Sequence, residues 1–495
     1  MPSAGSCMEF DHAHAAPLLP SRSVDGCPGC LLQQRVAARN GSPPAKELSF
    51  VALISLCSAL PISSLFPFIY FMVEDFNIAK SDTMVATYAG YIGSAMMLGR
   101  FISSAFWGIV ADQYGRKPVI LIGTFSIIIF NALFGFCTNF WMALMARFLL
   151  GLCNGILGAM KAYSSEICSK ENQASGVSML TTTWAVGLIL GPAIGGYLTQ
   201  PSDKYPAIFP TGSLFDRFPY ALPCLCISAF AVPALISGFF IAESLHNHKL
   251  KPKINVMDPS AYLEIEKLED DTSVMSNLKI EKDPPLWKNI SALTAMYIYC
   301  VWGLHSMAYS EMFSWWAVSS EHLGGLGFST SQVADVLAIA GTIFFLFQLF
   351  LTPRLTKFFG ALRMVQVPAA LTIILTSLYP LFSKLDGVQL WCVLVLSQSL
   401  KLILSACVDV GSSLLINDSV TSRQRGLANG VSTSIMSLCK AFGPSIAGFI
   451  FSMGQVRIDA SFLPGMWMVF GSVSILALVA AVPSFGHLSM KSLEK

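Results

Sequence analysis

The chain has few charged residues for its length. Asp, Glu, Lys and Arg make up 12% of its 495 residues, whereas hydrophobic residues make up 54%, and the mean hydropathy is +0.61. A soluble globular domain carries about 25% charged residues. The composition therefore excludes a soluble globular protein and predicts one that lies mostly inside a lipid bilayer.

Two further patterns are missing from the sequence. Residues 1–48 are polar and contain no apolar core of the length that a cleavable signal peptide needs, so we expect the first apolar segment to act as its own signal. No nucleophile–base pair and no phosphate-binding loop is recognisable, so we expect a protein that is not an enzyme. The net charge of +2 gives no indication of a nucleic-acid partner, and we expect none.

Long apolar segments recur along the chain at lengths near the ~20 residues that cross a bilayer as a helix. This predicts an all-α polytopic membrane protein with twelve transmembrane helices in two six-helix halves. The predicted spans are 49–73, 85–110, 118–138, 140–163, 176–199, 220–242, 290–318, 332–352, 365–383, 388–416, 426–452 and 463–485. The predicted units are an N-terminal tail (1–48), a first half (49–242), a charged linker (243–288), a second half (289–486) and a C-terminal tail (487–495).

The basic residues indicate how the chain is oriented. Most of the 31 Lys and Arg residues fall in the tails and in the loops on one side of the predicted bilayer. Basic residues are enriched on the cytosolic side of membrane proteins, so we expect both termini in the cytosol. The only basic residues in the predicted loops on the opposite side are Lys80, Lys204, Arg217, Lys384 and Arg457.

One short polar segment joins the second and third spans. It reads Trp-Gly-Ile-Val-Ala-Asp-Gln-Tyr-Gly-Arg-Lys from Trp107 to Lys117. A carboxylate near helix ends can cap or pair, and the two terminal basic residues would lie at the cytosolic face. We interpret the segment as a gating loop formed by Gly108, Asp112, Gly115, Arg116 and Lys117.

The two halves repeat one pattern, which indicates internal duplication. The fifth span reads Gly-Pro-Ala-Ile-Gly-Gly at 191–196, and the eleventh reads Gly-Pro-Ser-Ile-Ala-Gly at 443–448. Small residues let another helix approach at backbone distance, and proline removes one internal hydrogen bond and permits bending. Parallel halves packed around a midplane site are the transporter arrangement that such symmetry predicts. The predicted packing and hinge residues are Gly187, Gly191, Pro192, Gly195, Gly196, Gly443 and Pro444.

Ionisable side chains inside spans cost at least ~2.5 kcal/mol each on insertion scales, so they indicate function. Basic residues outnumber acidic ones there, which predicts a positive cavity suited to a substrate with carboxylates. Arg can hold a carboxylate at two points, and Lys offers a point charge. For Lys161 and Lys440, extension of the side chain to the bilayer surface is an alternative. The predicted substrate-binding residues are Arg100, Lys161, Lys401, Lys440, Trp302 and Tyr309.

Acidic side chains inside spans are candidate proton carriers, because a carboxyl group in a low-dielectric site can gain and lose a proton near neutral pH. Glu311 and Asp409 are the clearest examples. His305 is a third candidate, with a purely structural role as its alternative.

Two Cys and His patterns lie outside the predicted spans. Cys27-Pro-Gly-Cys30 occurs in the N-terminal tail, and His246-Asn-His248 follows the sixth span. Two thiolates at this spacing can share one zinc ion, although a structural zinc site needs four ligands. We treat Cys27, Cys30, His246 and His248 as candidate contacts for cytosolic zinc, with no metal role as the alternative.

Several of these patterns resemble known families. The 107–117 loop is similar to the loop between the second and third helices of major facilitator superfamily transporters, and Arg147-x3-Gly151-x3-Gly155 resembles the fourth-helix motif of proton antiporters. The loop, together with Cys-Pro-Gly-Cys, the Gly187–Gly196 segment and Glu243-Ser-Leu-His-x-His248, resembles the plant zinc-induced facilitator-like family. That resemblance implies the major facilitator fold, the proton gradient rather than a cofactor as energy source, and a proton-coupling role for Arg147.

The resemblance further implies export of metal chelators such as nicotianamine or mugineic-acid phytosiderophores from the cytosol, in zinc and iron homeostasis. We therefore expect a proton-coupled antiporter, monomeric in the bilayer, in the vacuolar or plasma membrane. Direct efflux of Zn²⁺ or K⁺ is the alternative transport function. A zinc sensor that does not transport is the alternative from another class.

Overall fold

The structure, a computed structural model, describes residues 27–38, 45–168, 173–245, 286–421 and 424–486. Within these ranges the regular secondary structure is helical and no β-strand occurs. In the described part of the chain, ten helical segments are long and apolar enough to cross a bilayer. The predicted all-α polytopic class is therefore confirmed.

The helices of the first half and its tail include short connecting helices as well as spans. They are α1 (Pro28–Ala38), α2 (Ala45–Ser63), α3 (Ile69–Asp75), α4 (Val85–Tyr114), α5 (Arg116–Ser126), α6 (Ala132–Gly135), α7 (Phe140–Leu152), α8 (Ile156–Glu166), α9 (Gln173–Leu198), α10 (Pro201–Lys204), α11 (Leu214–Arg217) and α12 (Ala221–Phe239).

The second half contains six long helices. They are α13 (Ile290–Val318), α14 (Thr330–Phe350), α15 (Thr352–Phe382), α16 (Gly387–Asp418), α17 (Arg425–Val456) and α18 (Met466–Phe485).

Two of the twelve predicted spans fall outside the ten apolar segments, although both form helices. In α9 the apolar part is the shorter stretch Thr182–Leu198. The other is α13, which has 29 residues and includes His305, Glu311 and many Ser, Tyr and Trp residues that lower its hydropathy. Polar groups within a membrane helix mark functional sites, so α13 is a place to look for one.

The first and fourth predicted spans are each interrupted. Helix α2 ends at Ser63, and α3 begins at Ile69; Pro67 between them lacks an N–H group and disfavours helix in the residue before it. Helix α7 ends at Leu152, and α8 begins after Asn154, whose side chain accepts the backbone N–H of Ile156 at 3.3 Å.

We name the two ends of the bundle by their loops. The loop side carries the 107–117 gating loop and residues 239–245, and the far side carries residues 75–84, 199–220 and 319–329. Between the halves, α4 packs along α17 and α9 packs along α14. These two helix pairs make the main contacts between the halves.

The α4–α17 contact is made in the far-side part of both helices. The Thr87 and Ser452 hydroxyls are 2.7 Å apart, and the Ser445 hydroxyl donates to the Ser94 hydroxyl at 2.8 Å. An added Cβ at Gly108, near the loop-side end of α4, would meet no atom within 4 Å. The two helices are therefore joined on the far side.

The α9–α14 contact is also on the far side. The Lys204 ammonium donates to the Gly196 carbonyl and to the Thr330 hydroxyl, each at 2.5 Å, and the Tyr197 hydroxyl donates to Asp335. Lys204 lies outside the membrane-spanning segments, and burial lowers its pKa from 10.5 to about 8. The two halves are therefore in contact across the far side in this conformation.

We predict that Lys204→Met weakens the far-side contact, because the hydrogen bond from Lys204 to Thr330 between the halves is lost, which contributes about 0.5–1.5 kcal/mol. Distances between spin labels at Asp203 and His322 should show the far-side-open population increase several-fold. In the unmodified chain, raising the pH from about 8 towards 10.5 should favour the closed state, because the buried amine binds fewer protons than the solvated one in that window.

Below about pH 8 the amine is protonated in both states, so this pH effect should vanish. The exposed Lys384 gives a matched control, and Lys384→Met should leave the distance distribution unchanged. A Lys204→Met protein with the same distribution and the same pH response as the unmodified chain would contradict the role of this contact.

Candidate transport site and gating loop

A single carboxylate organises the gating loop. Glu243, which follows α12, accepts the backbone N–H groups of Arg116 at 2.9 Å and Lys117 at 3.0 Å. These are the first residues of α5, so the negative charge lies where the helix dipole favours it. Gly115 makes this approach possible, because its φ is +114° and an added Cβ would lie 2.2 Å from Glu243 Oε2.

The basic residues of the loop are held by four helices or their ends. The Arg116 guanidinium pairs with Asp112 at 3.2 Å and with Glu166 of α8 at 3.0 Å. The Lys117 ammonium donates to the Phe239 and Ile241 carbonyls, both at 2.8 Å. The loop therefore ties α4, α5, α8 and the end of α12 into one unit. Neither Glu166 nor the capping role of Glu243 was predicted from the sequence.

The Arg147-x3-Gly151-x3-Gly155 motif brings α7 against α4. An added Cβ at Gly151 would lie 2.0 Å from the Met96 carbonyl oxygen and 3.0 Å from the Arg100 nitrogen. At Gly155 it would lie 2.5 Å from the Trp107 ring. The glycines therefore let the two backbones touch, which places the two arginines in one region of the first half.

Arg147 is almost completely buried, with 2% of its surface exposed. Its Nη1 donates to the Pro61 carbonyl at 2.9 Å, and its guanidinium carbon lies 5.1 Å from the centre of the Phe134 ring. Its Nε has no partner, and the same is true of Nε and Nη2 of Arg100 in the described structure. The two cations lie within electrostatic range of each other.

Glu311 of α13 lies at the boundary between the halves. It is 1% exposed, and an added Cβ at Gly93 of α4 would lie 3.1 Å from its Oε1 and equally close to the Pro444 ring. The carboxylate and Arg147 lie within electrostatic range of each other. The structure therefore brings together Arg147 and Glu311, both of which were predicted to couple protons, and Arg100, which was predicted to bind substrate.

Lys401 of α16 occupies an aromatic pocket in the second half. Its ammonium lies 4.5 Å from the centre of the Tyr309 ring and 5.7 Å from that of Trp302. The Tyr309 hydroxyl is 2.5 Å from the Tyr379 hydroxyl and donates to Gln398 Oε1 at 2.6 Å. The sequence analysis did not identify Tyr379 or Gln398, because single polar groups on long apolar helices carry no pattern.

His305 packs beside the same pocket. Its ring lies 4.7 Å from the Trp302 ring, and its Nδ1 lies 3.0 Å from the Val473 carbonyl oxygen. Its Nε2 is buried without a partner among the described residues. The position is compatible with either of the two roles that the sequence left open.

The remaining charged candidates are more accessible. Asp409 and Lys161 are exposed and Lys440 is half-buried. Lys440 and Lys401 lie within electrostatic range of Asp409, and Lys440 also lies within range of Lys161 in the first half. These groups thus face one another across the space between the halves.

The repeated Gly-Pro segments lie at close helix contacts. In α9, added Cβ atoms would lie 2.6 Å from Ala59 at Gly187, 1.9 Å from Ser63 at Gly191 and 2.0 Å from Ser64 at Gly195. Gly196, the residue after this row, instead faces Ala334 of α14 at 2.3 Å.

The repeated segment in α17 also lies at close helix contacts, with different neighbouring residues. An added Cβ at Gly443 would lie 3.1 Å from Met307 of α13, and one at Gly90 of α4 would lie 2.3 Å from the Pro444 carbonyl oxygen. Pro192 and Pro444 both lie inside unbroken helices. Each segment therefore packs one helix tightly within its own half and against the other half.

The tail motif lies near the end of the sixth span. Cys27 and Cys30 are buried, and the Gly29 N–H between them donates to the Leu245 carbonyl at 3.1 Å. His246 and His248 lie outside the described residues. Within the described ranges, no group of three or more His, Cys, Asp or Glu side chains is placed to hold a metal ion. The zinc contacts stay a prediction.

The fold, together with its family match and its similar proteins, defines the chain as a polytopic helical transporter. A model of the Major Facilitator Superfamily matches residues 51–324. The crystal structure of a D-xylose-proton symporter shares the fold, with a TM-score of 0.65 and 13% identity over 90% of this chain and 97% of that chain.

Two curated plant proteins are much more similar. Protein ZINC INDUCED FACILITATOR 1 of Arabidopsis thaliana is 47% identical over 93% of this chain and 95% of its own length. Protein ZINC INDUCED FACILITATOR-LIKE 1 of the same plant is 44% identical over 95% of this chain and 97% of its own. The chain therefore belongs to the major facilitator superfamily and, within it, to the zinc-induced facilitator family, which confirms the resemblance inferred from the motifs.

We predict that Gly115→Ala destabilises the gating loop. The new Cβ would collide with the Glu243 carboxylate and adopt a positive φ that L side chains rarely occupy, at a local cost of about 1–3 kcal/mol. The thermal midpoint of the purified protein, followed by tryptophan fluorescence, should fall by several degrees. Gly108→Ala, in the last turns of α4 within the same 107–117 segment, is the matched control and should not lower it, since a Cβ there meets nothing within 4 Å. Equal midpoints for the two variants would refute this account of the loop.

We predict that Gly151→Ala pushes α7 away from α4, because its Cβ would lie 2.0 Å from a backbone oxygen that cannot move independently. Overpacking of this kind costs typically about 1–3 kcal/mol. Aggregation after a heating series, read by size-exclusion chromatography, should begin at lower temperature. Gly158→Ala, where a Cβ meets nothing within 4 Å, should behave like the unmodified chain. If Gly151→Ala began to aggregate at the same temperature as the unmodified chain, the close contact between α7 and α4 would not contribute to stability.

Proposed function

We propose that the protein is a proton-coupled antiporter that exports a small zwitterionic or anionic metal chelator from the cytosol. The proposed cargo is nicotianamine or a mugineic-acid phytosiderophore, and the proposed role is zinc and iron homeostasis. The observation that carries the proposal is the excess of cations in the core, where Arg100, Arg147, Lys401 and Lys440 face two carboxylates. Two curated relatives are named zinc-induced facilitators, which agrees with a role in metal handling.

The chemistry of the cavity supports a chelator with carboxylates. Carboxylates match the fork of an Arg side chain and the point charge of Lys. The aromatic faces around Lys401 supply apolar contact for the carbon skeleton of such a molecule. A positive cavity attracts anions and repels a bare cation.

The conformation supports alternating access between two membrane faces. The halves are joined on the far side, while Asp409 and Lys161 are exposed in the part of the bundle nearer the gating loop. The bias of basic residues supports a cytosolic position for that loop, and we propose that this conformation is open to the cytosol and closed to the far compartment. A monomer in the vacuolar or plasma membrane suffices for this cycle.

Glu311 and Arg147 are the proposed proton-coupling pair. They belong to opposite halves and lie within electrostatic range, so a proton on the carboxylate changes the attraction between the halves. Asp409 and His305 are the proposed second carriers. Far-side opening would expose the pair to the acidic compartment, and loop-side opening would expose it to the cytosol.

Transport into sealed vesicles tests the proposal. Labelled nicotianamine, deoxymugineic acid, Zn²⁺ and K⁺ are supplied to the cytosolic face at two luminal pH values. We expect uptake of a chelator that increases when the lumen is acid, and loss of this proton-driven uptake in Arg147→Gln and Glu311→Gln. The exposed Lys384→Gln should transport normally.

Uptake of labelled Zn²⁺ or K⁺ without any chelator would contradict the proposed cargo in favour of direct cation efflux. Chelator uptake that is equal at both pH values would contradict proton coupling. Normal proton-driven uptake by Arg147→Gln or Glu311→Gln would remove that residue from the mechanism.

A further inference from the structure

The buried arginines of the first half have more donors than acceptors. Arg147 is 2% exposed, and its Nε has no partner among the residues that the structure describes. Nε and Nη2 of Arg100 are likewise buried and have none in the described part of the chain. A buried charge without hydrogen-bond partners is strongly unfavourable, and guanidinium groups can only donate. The region therefore lacks a negatively charged hydrogen-bond acceptor for these donors.

Glu311 is near this region but does not supply that acceptor. No hydrogen bond or ion pair within 4 Å joins it to Arg147 among the described residues, although the two interact electrostatically. Its Oε1 faces Gly93 of α4 across the boundary, and glycine has no side chain that could titrate. Cys224 of α12 and Arg100 are the other titratable groups that act on Arg147. A separated carboxylate and guanidinium pair thus lies between the halves.

We propose that Arg100, Arg147 and Glu311 form one site for the amino-acid end of a zwitterionic ligand, with the carboxylate on the guanidinium groups and the ammonium on Glu311. Such a ligand supplies a hydrogen-bond acceptor to the guanidinium groups and a cation to the Glu311 carboxylate in one molecule. An α-amino acid carries an anion and a cation separated by one carbon, so a single molecule can present both charges to the site. The inference rests on the proposed function and narrows its cargo to molecules that carry a free amine beside a carboxylate.

The proposal also explains how ligand and proton exclude each other. With the site empty, Glu311 can hold a proton. When the ligand binds, its ammonium takes the place of that proton, which is released to water, so each ligand charge meets a group of opposite charge and the net positive charge of the site falls by one unit. A ligand without the amine leaves Glu311 protonated and releases no proton. Mutual exclusion of proton and substrate is what an antiporter requires.

Calorimetric titration of the purified full-length protein in nanodiscs tests this site without transport. The ligands are nicotianamine and glutamate, each compared with its form acetylated at the primary amine. Titrations in buffers of different ionisation enthalpy give the protons released per ligand. The variants are Glu311→Gln, Arg100→Gln and Arg100→Lys, with the exposed Arg217→Gln as control.

In the unmodified chain we expect the free amines to bind about tenfold more tightly than the acetylated forms, with up to about one proton released per ligand as the pH is lowered. Glu311→Gln should abolish both the preference and the proton release, yet bind the acetylated forms as the unmodified chain does. Arg100→Gln should weaken both ligand forms about tenfold or more. Arg100→Lys should recover part of the binding, and Arg217→Gln should change nothing.

Three results would overturn the inference: equal binding of free and acetylated amines, proton release that persists in Glu311→Gln, or no binding of either glutamate or nicotianamine. Glutamate that behaves as expected, together with nicotianamine that does not bind, would support the site and contradict the cargo proposed above. The failure of the site and the failure of the proposed function are thus separable.

Discussion

The central constraint in this molecule is the position of Arg147, a cation buried in a low-dielectric bundle with one backbone carbonyl and one aromatic ring as its recorded partners. A buried, incompletely satisfied guanidinium is tolerated only where the surrounding structure enforces it. Two features enforce it here. Gly151 lets α7 contact α4 directly, and Phe134 covers the guanidinium face. The charge is consequently available to whatever anion reaches it.

Close contacts at glycines determine how the helices pack. The glycines of the fifth-span and eleventh-span segments bring helices together within each half, against both side-chain and backbone atoms, and Gly90 and Gly196 allow close backbone contact between the halves. Small residues at these positions let one helix approach another closely. The network of Glu243, Arg116 and Lys117 joins four helix ends of the first half.

The sequence predicted the class, the family and the charged residues of the core, because membrane helices have a strong compositional signal and the motifs are local in the chain. It did not predict that Arg100, Arg147 and Glu311 form a cluster, since two of them lie in the first half and one in the second. The breaks after Ser63 and Leu152 were also missed, because hydropathy averages over short polar interruptions. The role of Glu243 could have been suspected from its place in the motif after the sixth span, but its partner lies more than a hundred residues earlier.

The proposed role of this site depends on which molecule occupies the space between the arginines and Glu311. The most direct measurement is a cryo-electron microscopy map of the full-length protein in nanodiscs with saturating nicotianamine. The account predicts ligand density with a carboxylate in contact with Arg100 and Arg147 and an amine in contact with Glu311. A map with ligand bound elsewhere, and with the guanidinium groups of Arg100 and Arg147 paired to protein carboxylates, would contradict it.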